Sequence, residues 1–93
     1  MRIVELRISR RALRKIIARG IGEAEPFEVW FNRHVILRNR RNRAASHRMV
    51  GKTDGGRMLT LLMTQTEDVG VWVAVNAWPA SKAEKTMYGK GAR

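Results

Sequence analysis

The chain has 93 residues, with 19 lysines and arginines against eight aspartates and glutamates, so its formal net charge is +11. This length is typical of one domain, and we predict a single domain over residues 1–93 with a flexible tail at 89–93. Cysteine is absent and there are two histidines, which excludes disulfide scaffolds and Cys-ligated zinc, and we expect neither a metal site nor a cofactor. No apolar run resembles a signal peptide or a membrane span, so we expect a cytoplasmic protein with an anionic partner and no membrane partner.

The positive charge is unevenly distributed along the chain. Residues 1–20 contain seven Lys and Arg and one Glu, residues 21–32 contain three Glu and no base, and residues 33–57 contain eight Lys and Arg and one Asp. Arginine predominates in the last segment, and its planar guanidinium binds phosphate through paired hydrogen bonds. This pattern favours a nucleic acid as the anionic partner. The alternative is a solvated surface that only promotes solubility.

The first third of the chain predicts one strand and two helices. Residues 3–8 alternate as in a strand with one buried face. Ser9 is a good N-cap for a helix over about residues 10–19, which Gly20 ends. A second helix begins near Glu23 or Pro26 and ends at Phe31, with its acids near the positive end of the helix dipole.

From residue 35 onward the apolar period becomes strand-like. Four strands are predicted, over residues 35–38, 47–52, 57–66 and 71–78. Asp54-Gly55-Gly56 predicts a tight turn between the second and third of them. Strict alternation in the last strand places Trp72 and Trp78 on the same face.

Ser81 predicts the start of a final helix over residues 82 to about 88. Helices and strands therefore occur in separate runs, which is typical of an α+β fold. We predict a short N-terminal strand, two helices, an antiparallel β-meander of three to four strands and a short C-terminal helix.

The side chains that remain for chemistry suit one reaction that needs no metal. RNA supplies its own nucleophile, the 2′-OH, so an enzyme must hold the scissile phosphate, move two protons and neutralise the charge of the transition state. Acid–base and cationic residues of the right types are His34, His47, Arg48, Lys52, Arg57, Lys82, Glu84, Lys85 and Tyr88. Each also has a structural explanation, such as a solvated histidine, a surface ion pair or a tyrosine packed on the sheet. The tryptophans stack bases if exposed and belong to the core if buried.

Several short motifs occur in an ordered series. They are ARGI at residues 18–21, HRMVG at 47–51, DGGRMLT at 54–60, VWV at 71–73 and AWPASKAE at 77–84, followed by Tyr88. Over about residues 10–88 this series resembles the BrnT-type toxin family. The resemblance implies a RelE-like fold and a metal-independent ribonuclease that arrests translation. It also implies a type II toxin–antitoxin system, in which an antitoxin protein binds and neutralises the toxin.

Three residues match the family's motif positions. Arg57 matches the arginine of the Gly-Arg-x-Leu step, while Glu84 and Tyr88 match the Glu-x-x-x-Tyr ending. The family's Ser-Ala-Arg before the last helix is replaced here by Asn76-Ala77-Trp78. Either another arginine, such as Arg48, supplies this charge, or the activity is weakened or changed.

The predicted site has two groups of residues. The catalytic group consists of His47, Arg48, Arg57, Glu84 and Tyr88, in which His47 is an added proton carrier at the family's Glu-x-Arg position. The RNA-binding group consists of Arg38, Arg40, Arg41, Arg43, Lys52, Trp78 and Lys82. We expect both groups to converge on one concave surface beside the meander. The predicted partners are RNA and an antitoxin whose acidic or amphipathic segment covers residues 38–48.

Two other functions fit the same composition. One is a non-catalytic RNA- or DNA-binding module that uses the same basic surface. The other is a protein-interaction subunit whose charge serves only an acidic protein partner. Salt dependence of binding separates them, because a phosphate binder loses affinity steeply as salt rises.

Overall fold

The fold is built on one sheet of five strands. In the computed structural model, which describes residues 2–39 and 45–91, the elements are β1 (Glu5–Ile8), α1 (Arg10–Ala18), α2 (Glu25–Phe31), β2 (His34–Arg38), β3 (His47–Lys52), β4 (Met58–Gln65), β5 (Val71–Pro79) and α3 (Lys82–Gly91). The strand order is β1-β5-β4-β3-β2. β1 is parallel to β5 and the other neighbours are antiparallel. The predicted α+β class is confirmed, with three helices and a mixed sheet.

Helices cover both faces of the sheet. Ile16 of α1, Val29 of α2 and Met49 of β3 belong to the main core. Val50, the residue after Met49, packs instead with Tyr88 of α3 in a second, smaller core. Because successive side chains of a strand point to opposite faces, α1 and α2 lie on one face and α3 lies on the other. We call these the α1–α2 face and the α3 face.

Side-chain caps start the two longer helices. Ser9 Oγ accepts a hydrogen bond from the amide of Ala12 in α1, at 3.1 Å. At α3 the Ser81 amide donates to the Glu84 carboxylate at 2.8 Å, and the Glu84 amide donates to Ser81 Oγ at 3.1 Å. This reciprocal pair is a capping box, which satisfies two amides that the helix itself leaves unbonded.

The described helices are short. α3 has 10 residues and continues to Gly91, whereas the sequence predicted an end near Tyr88, so residues 89–91 of the predicted tail are helical. None of the helices within residues 2–39 and 45–91 is long and apolar enough to cross a membrane.

β5 contains a bulge that the sequence did not predict. Its pairing with β4 skips Val75, which is an extra residue between Ala74 and Asn76. An extra residue reverses the alternation of side chains after it. Trp72 is consequently buried in the main core, whereas the indole of Trp78 lies on the α3 face, where it bonds Glu84. The predicted common face of the two tryptophans is wrong.

Gly51 allows the start of β2 to approach β3 and α2 closely. A Cβ atom on Gly51 would lie 3.0 Å from the Arg33 carbonyl oxygen, 3.1 Å from His34 Cβ and 3.2 Å from Val29 Cγ1. These distances are shorter than ordinary van der Waals contacts, so a larger side chain would push the strands apart. Glycine at this position keeps His34 against the neighbouring strand.

Candidate nucleic-acid interface

An open pocket of about 480 Å³ is lined by His34, Ile36, Arg38 and His47. The first three alternate along β2, so their side chains share one face of the strand. Ile36 packs against the main core, which places the pocket on the α1–α2 face. We call it the histidine pocket.

Arg38 and His47 are cross-strand partners in the β2–β3 ladder. Side chains in such a position lie roughly 5 Å apart at Cβ and interact directly. The pair therefore brings the planar guanidinium of Arg38 next to the imidazole of His47, a side chain that can gain or lose a proton.

The environment of His47 favours its neutral form. Burial lowers the pKa of His47 below its usual range, and the positive charge of Arg38 lowers it further. The ring edge contacts Trp72, with centroids 5.1 Å apart, and Nδ1 lies 2.7 Å from Ser46 Oγ. At neutral pH the imidazole is therefore available to accept a proton.

His34 enters the histidine pocket from its other end. Its Nδ1 lies 3.0 Å from the backbone oxygen of Asn32. A carbonyl oxygen can only accept, so Nδ1 donates this hydrogen bond and Nε2 is left as the hydrogen-bond acceptor. Four residues separate His34 from Arg38 along β2, which is about 13 Å at Cα.

Arg48 and Glu84, two predicted catalytic residues, form an ion pair on the α3 face. Arg48 Nη1 donates to Glu84 Oε2 at 2.8 Å, and the Glu84 side chain is only 5% exposed. Trp78 Nε1 donates to the same carboxylate at 3.2 Å. Through these bonds and the capping box, the Glu84 carboxylate attaches α3 to the sheet.

Burial acts to raise the pKa of Glu84, but hydrogen bonds outweigh it and hold the pKa below the usual range. They come from the Ser81 amide, Arg48 and Trp78. The buried Thr60 hydroxyl contributes to the lowering, although it makes no hydrogen bond of good geometry with any described residue. Glu84 is therefore a buried carboxylate with a structural role.

Tyr88 is buried in the second core, and its ring lies under the guanidinium of Arg33 at 4.4 Å from the centroid. This geometry is a cation–π contact. Of the alternatives for this tyrosine, packing on the sheet is what the structure shows.

Arg57 lies apart from the other predicted catalytic residues. Its Nη2 donates to the Gly20 carbonyl at 3.1 Å and to Glu25 Oε1 at 3.0 Å, so it joins the end of the α1–α2 connection to the start of β4. His47 and Arg48 are consecutive in β3 and point to opposite faces of the sheet. The predicted convergence of the catalytic group on one surface is wrong.

The RNA-binding group is also divided. Arg38 lies in the histidine pocket, Trp78 bonds Glu84 on the other face, and Lys52 and Lys82 are exposed. The predictions for Arg40, Arg41 and Arg43 fall outside the described residues. Among residues 2–39 and 45–91, no three His, Asp or Glu side chains are placed to share a metal ion.

His34 and Ile36 are the two pocket residues that the predicted site omitted. A predicted strand that began one residue earlier, at His34, would have placed His34 on the same face as Ile36 and Arg38, which follow it by two and four residues. Comparisons with protein-family models, with curated proteins and with solved structures find no match to this chain.

Proposed function

We propose that this protein binds single-stranded RNA through the histidine pocket. The observation that carries the proposal is the pairing of Arg38 with His47 inside a pocket of nucleotide size. Arg38 supplies a permanent positive charge for a phosphate, and Ile36 supplies an apolar floor. A pocket on one strand pair suits an unstacked nucleotide better than the regular surface of a duplex.

The surrounding charge supports the same partner. The sequence contains no Asp or Glu from residue 33 to residue 53. The segment that joins β2 to β3 contributes three arginines by sequence. A polyanion that follows this segment would be attracted along its whole length.

Binding of a fluorescein-labelled uridine oligomer of about 12 nucleotides tests the proposal. Three neutralised phosphates give a salt slope of about −2, so affinity should fall roughly twentyfold between 50 and 200 mM salt. Affinity should also rise as the pH falls. A bound phosphate stabilises the imidazolium of His47, whose pKa is lowered in the free protein, so binding takes up a proton. An affinity that is insensitive to salt would contradict the proposal.

A second candidate function is metal-independent RNA cleavage, as expected of the toxin in a type II toxin–antitoxin system. This function is favoured because the neutral imidazole of His47 lies beside the guanidinium of Arg38. The imidazole of His34 lines the same pocket. His47 would take the proton of the 2′-OH, and its oxygen would attack phosphorus while the bond to the 5′-oxygen breaks. Arg38 would neutralise the phosphorane, and the leaving 5′-oxygen would take its proton from water. The products are a 2′,3′-cyclic phosphate and a 5′-OH.

Incubation of a long single-stranded RNA with the purified protein in EDTA and low salt tests this second function. We expect fragments ending in 2′,3′-cyclic phosphate, and a loss of about a hundredfold or more in rate for His47→Ala. Arg57→Gln should retain cleavage, because Arg57 bonds Glu25 away from the pocket. Intact RNA under these conditions would contradict the nuclease function. It would not contradict the proposed RNA binding, which the uridine oligomer tests separately.

A further inference from the structure

β2 is an outer strand of the sheet, and the structure shows which of its backbone groups face outward. The Asn39 amide donates to the Ser46 carbonyl at 2.8 Å, in the same register that pairs Val35 with Val50 and Leu37 with Arg48. Hydrogen-bonded and non-hydrogen-bonded pairs alternate in an antiparallel ladder. The residues of β2 that bond β3 are therefore 35 and 37, while the amides and carbonyls of residues 34, 36 and 38 point away from the sheet.

No strand among the described residues pairs with this outer edge. Unpaired edges are sites where another extended chain can add to a sheet. The three residues with outward backbone groups are also three of the four residues that line the histidine pocket. A chain that pairs with this edge would consequently place alternate side chains beside the pocket.

The positive charge around the outer edge of β2 favours an acidic partner strand over a second copy of β2. Arg38 ends β2, Arg33 precedes it, and acidic residues are missing from residue 33 to residue 53. A second copy of β2 would set like charges against each other, which destabilises strand pairing. A strand with carboxylates would instead be attracted to the same position.

We propose that an acidic extended segment of a partner protein adds to the outer edge of β2 as a sixth strand, with its carboxylates beside Arg38. Bound there, the segment would exclude RNA from the histidine pocket. Because the segment would act by excluding RNA, its biological role rests on the proposed function. Docking itself requires no RNA.

Amide hydrogen exchange of the full chain, measured by NMR, tests the docking. The probe is a peptide of about eight residues in which Glu and Val alternate, a length that matches ordinary strands. We expect exchange at Ile36 and Arg38 to slow by about tenfold or more with the peptide, because their amides gain partners. Exchange at Val35 and Leu37 should change little, because those amides already bond β3.

Two controls separate strand pairing from charge attraction. The same peptide with every backbone amide N-methylated keeps the charge but has no N–H groups to pair with β2, and it should not protect Ile36. In the protein, Ile36→Pro removes an outward amide without removing a bond to β3, and it should weaken peptide binding about tenfold, whereas Ile36→Val should not.

Equal binding of both peptides, or unchanged exchange at Ile36, would overturn the proposal. Pairing of two copies of the protein at this edge would overturn the choice of occupant. If Ile36→Pro does not fold, amide exchange in the unmodified protein still decides whether the peptide pairs with β2. A failure of RNA binding would not change that result.

Discussion

Glu84→Ala is expected to lower the free energy of unfolding by about 3 kcal/mol, because it leaves the Arg48 guanidinium without its buried partner. The same change removes half of the capping box and the acceptor of Trp78 Nε1. A domain of this size has a total stability of only about 5–10 kcal/mol. Urea unfolding followed by circular dichroism measures the loss.

Matched variants on α3 sharpen this test. Glu84→Gln keeps an acceptor but loses the charge, and we expect a cost of about 1 kcal/mol. Lys85→Ala changes an exposed neighbour on the same helix and should alter stability by less than about 0.5 kcal/mol. Equal stabilities of Glu84→Ala and Lys85→Ala would contradict the structural role of this carboxylate.

The pH dependence of the Glu84 contribution follows from its lowered pKa. The folded state favours the ionised carboxylate, so its contribution is present above the pKa of the unfolded chain. It is lost as the pH falls through the lower pKa of the folded chain. The difference between the wild-type protein and Glu84→Ala should therefore shrink in acid.

Local sequence patterns predicted several features of the fold. β3 was predicted at residues 47–52, the bounds that the structure shows. Gly56 adopts a φ of 89°, as a tight turn after Asp54 requires. Ser81 and Glu84 start α3 through hydrogen bonds between residues three apart. Each of these features depends on a few neighbouring residues, and for that reason a single sequence predicts it.

The arrangement of the site depended on contacts between distant residues. Nothing near Arg57 in sequence indicates that Glu25, 32 positions earlier, accepts its hydrogen bond. The bulge at Val75 and the parallel pairing of β1 with β5 are also products of tertiary packing. The strand predicted over residues 47–52 already places His47 and Arg48 on opposite faces, which is incompatible with one surface that contains both. His34 precedes the strand predicted over residues 35–38, so the sequence did not place its side chain on the same face as Arg38.

The resemblance to BrnT-type toxins stays a prediction. Its motif positions include Arg57, Glu84 and Tyr88, and the structure assigns each of them to a structural contact. The histidine pocket is a different location with a different set of side chains. The family's motif makes Arg57 the arginine that RNA needs, whereas the histidine pocket makes it Arg38.

Binding of the uridine oligomer by Arg38→Gln and Arg57→Gln, compared at one salt concentration and pH, tests the central claim most directly. Each variant loses one positive charge, so the long-range attraction of the protein for RNA is matched between them. We expect Arg38→Gln to weaken binding about tenfold and to reduce the salt slope by about 0.7, the value of one phosphate contact. Arg57→Gln should bind within about twofold of the wild-type protein. Equal losses in the two variants, or a larger loss for Arg57→Gln, would contradict binding at the histidine pocket.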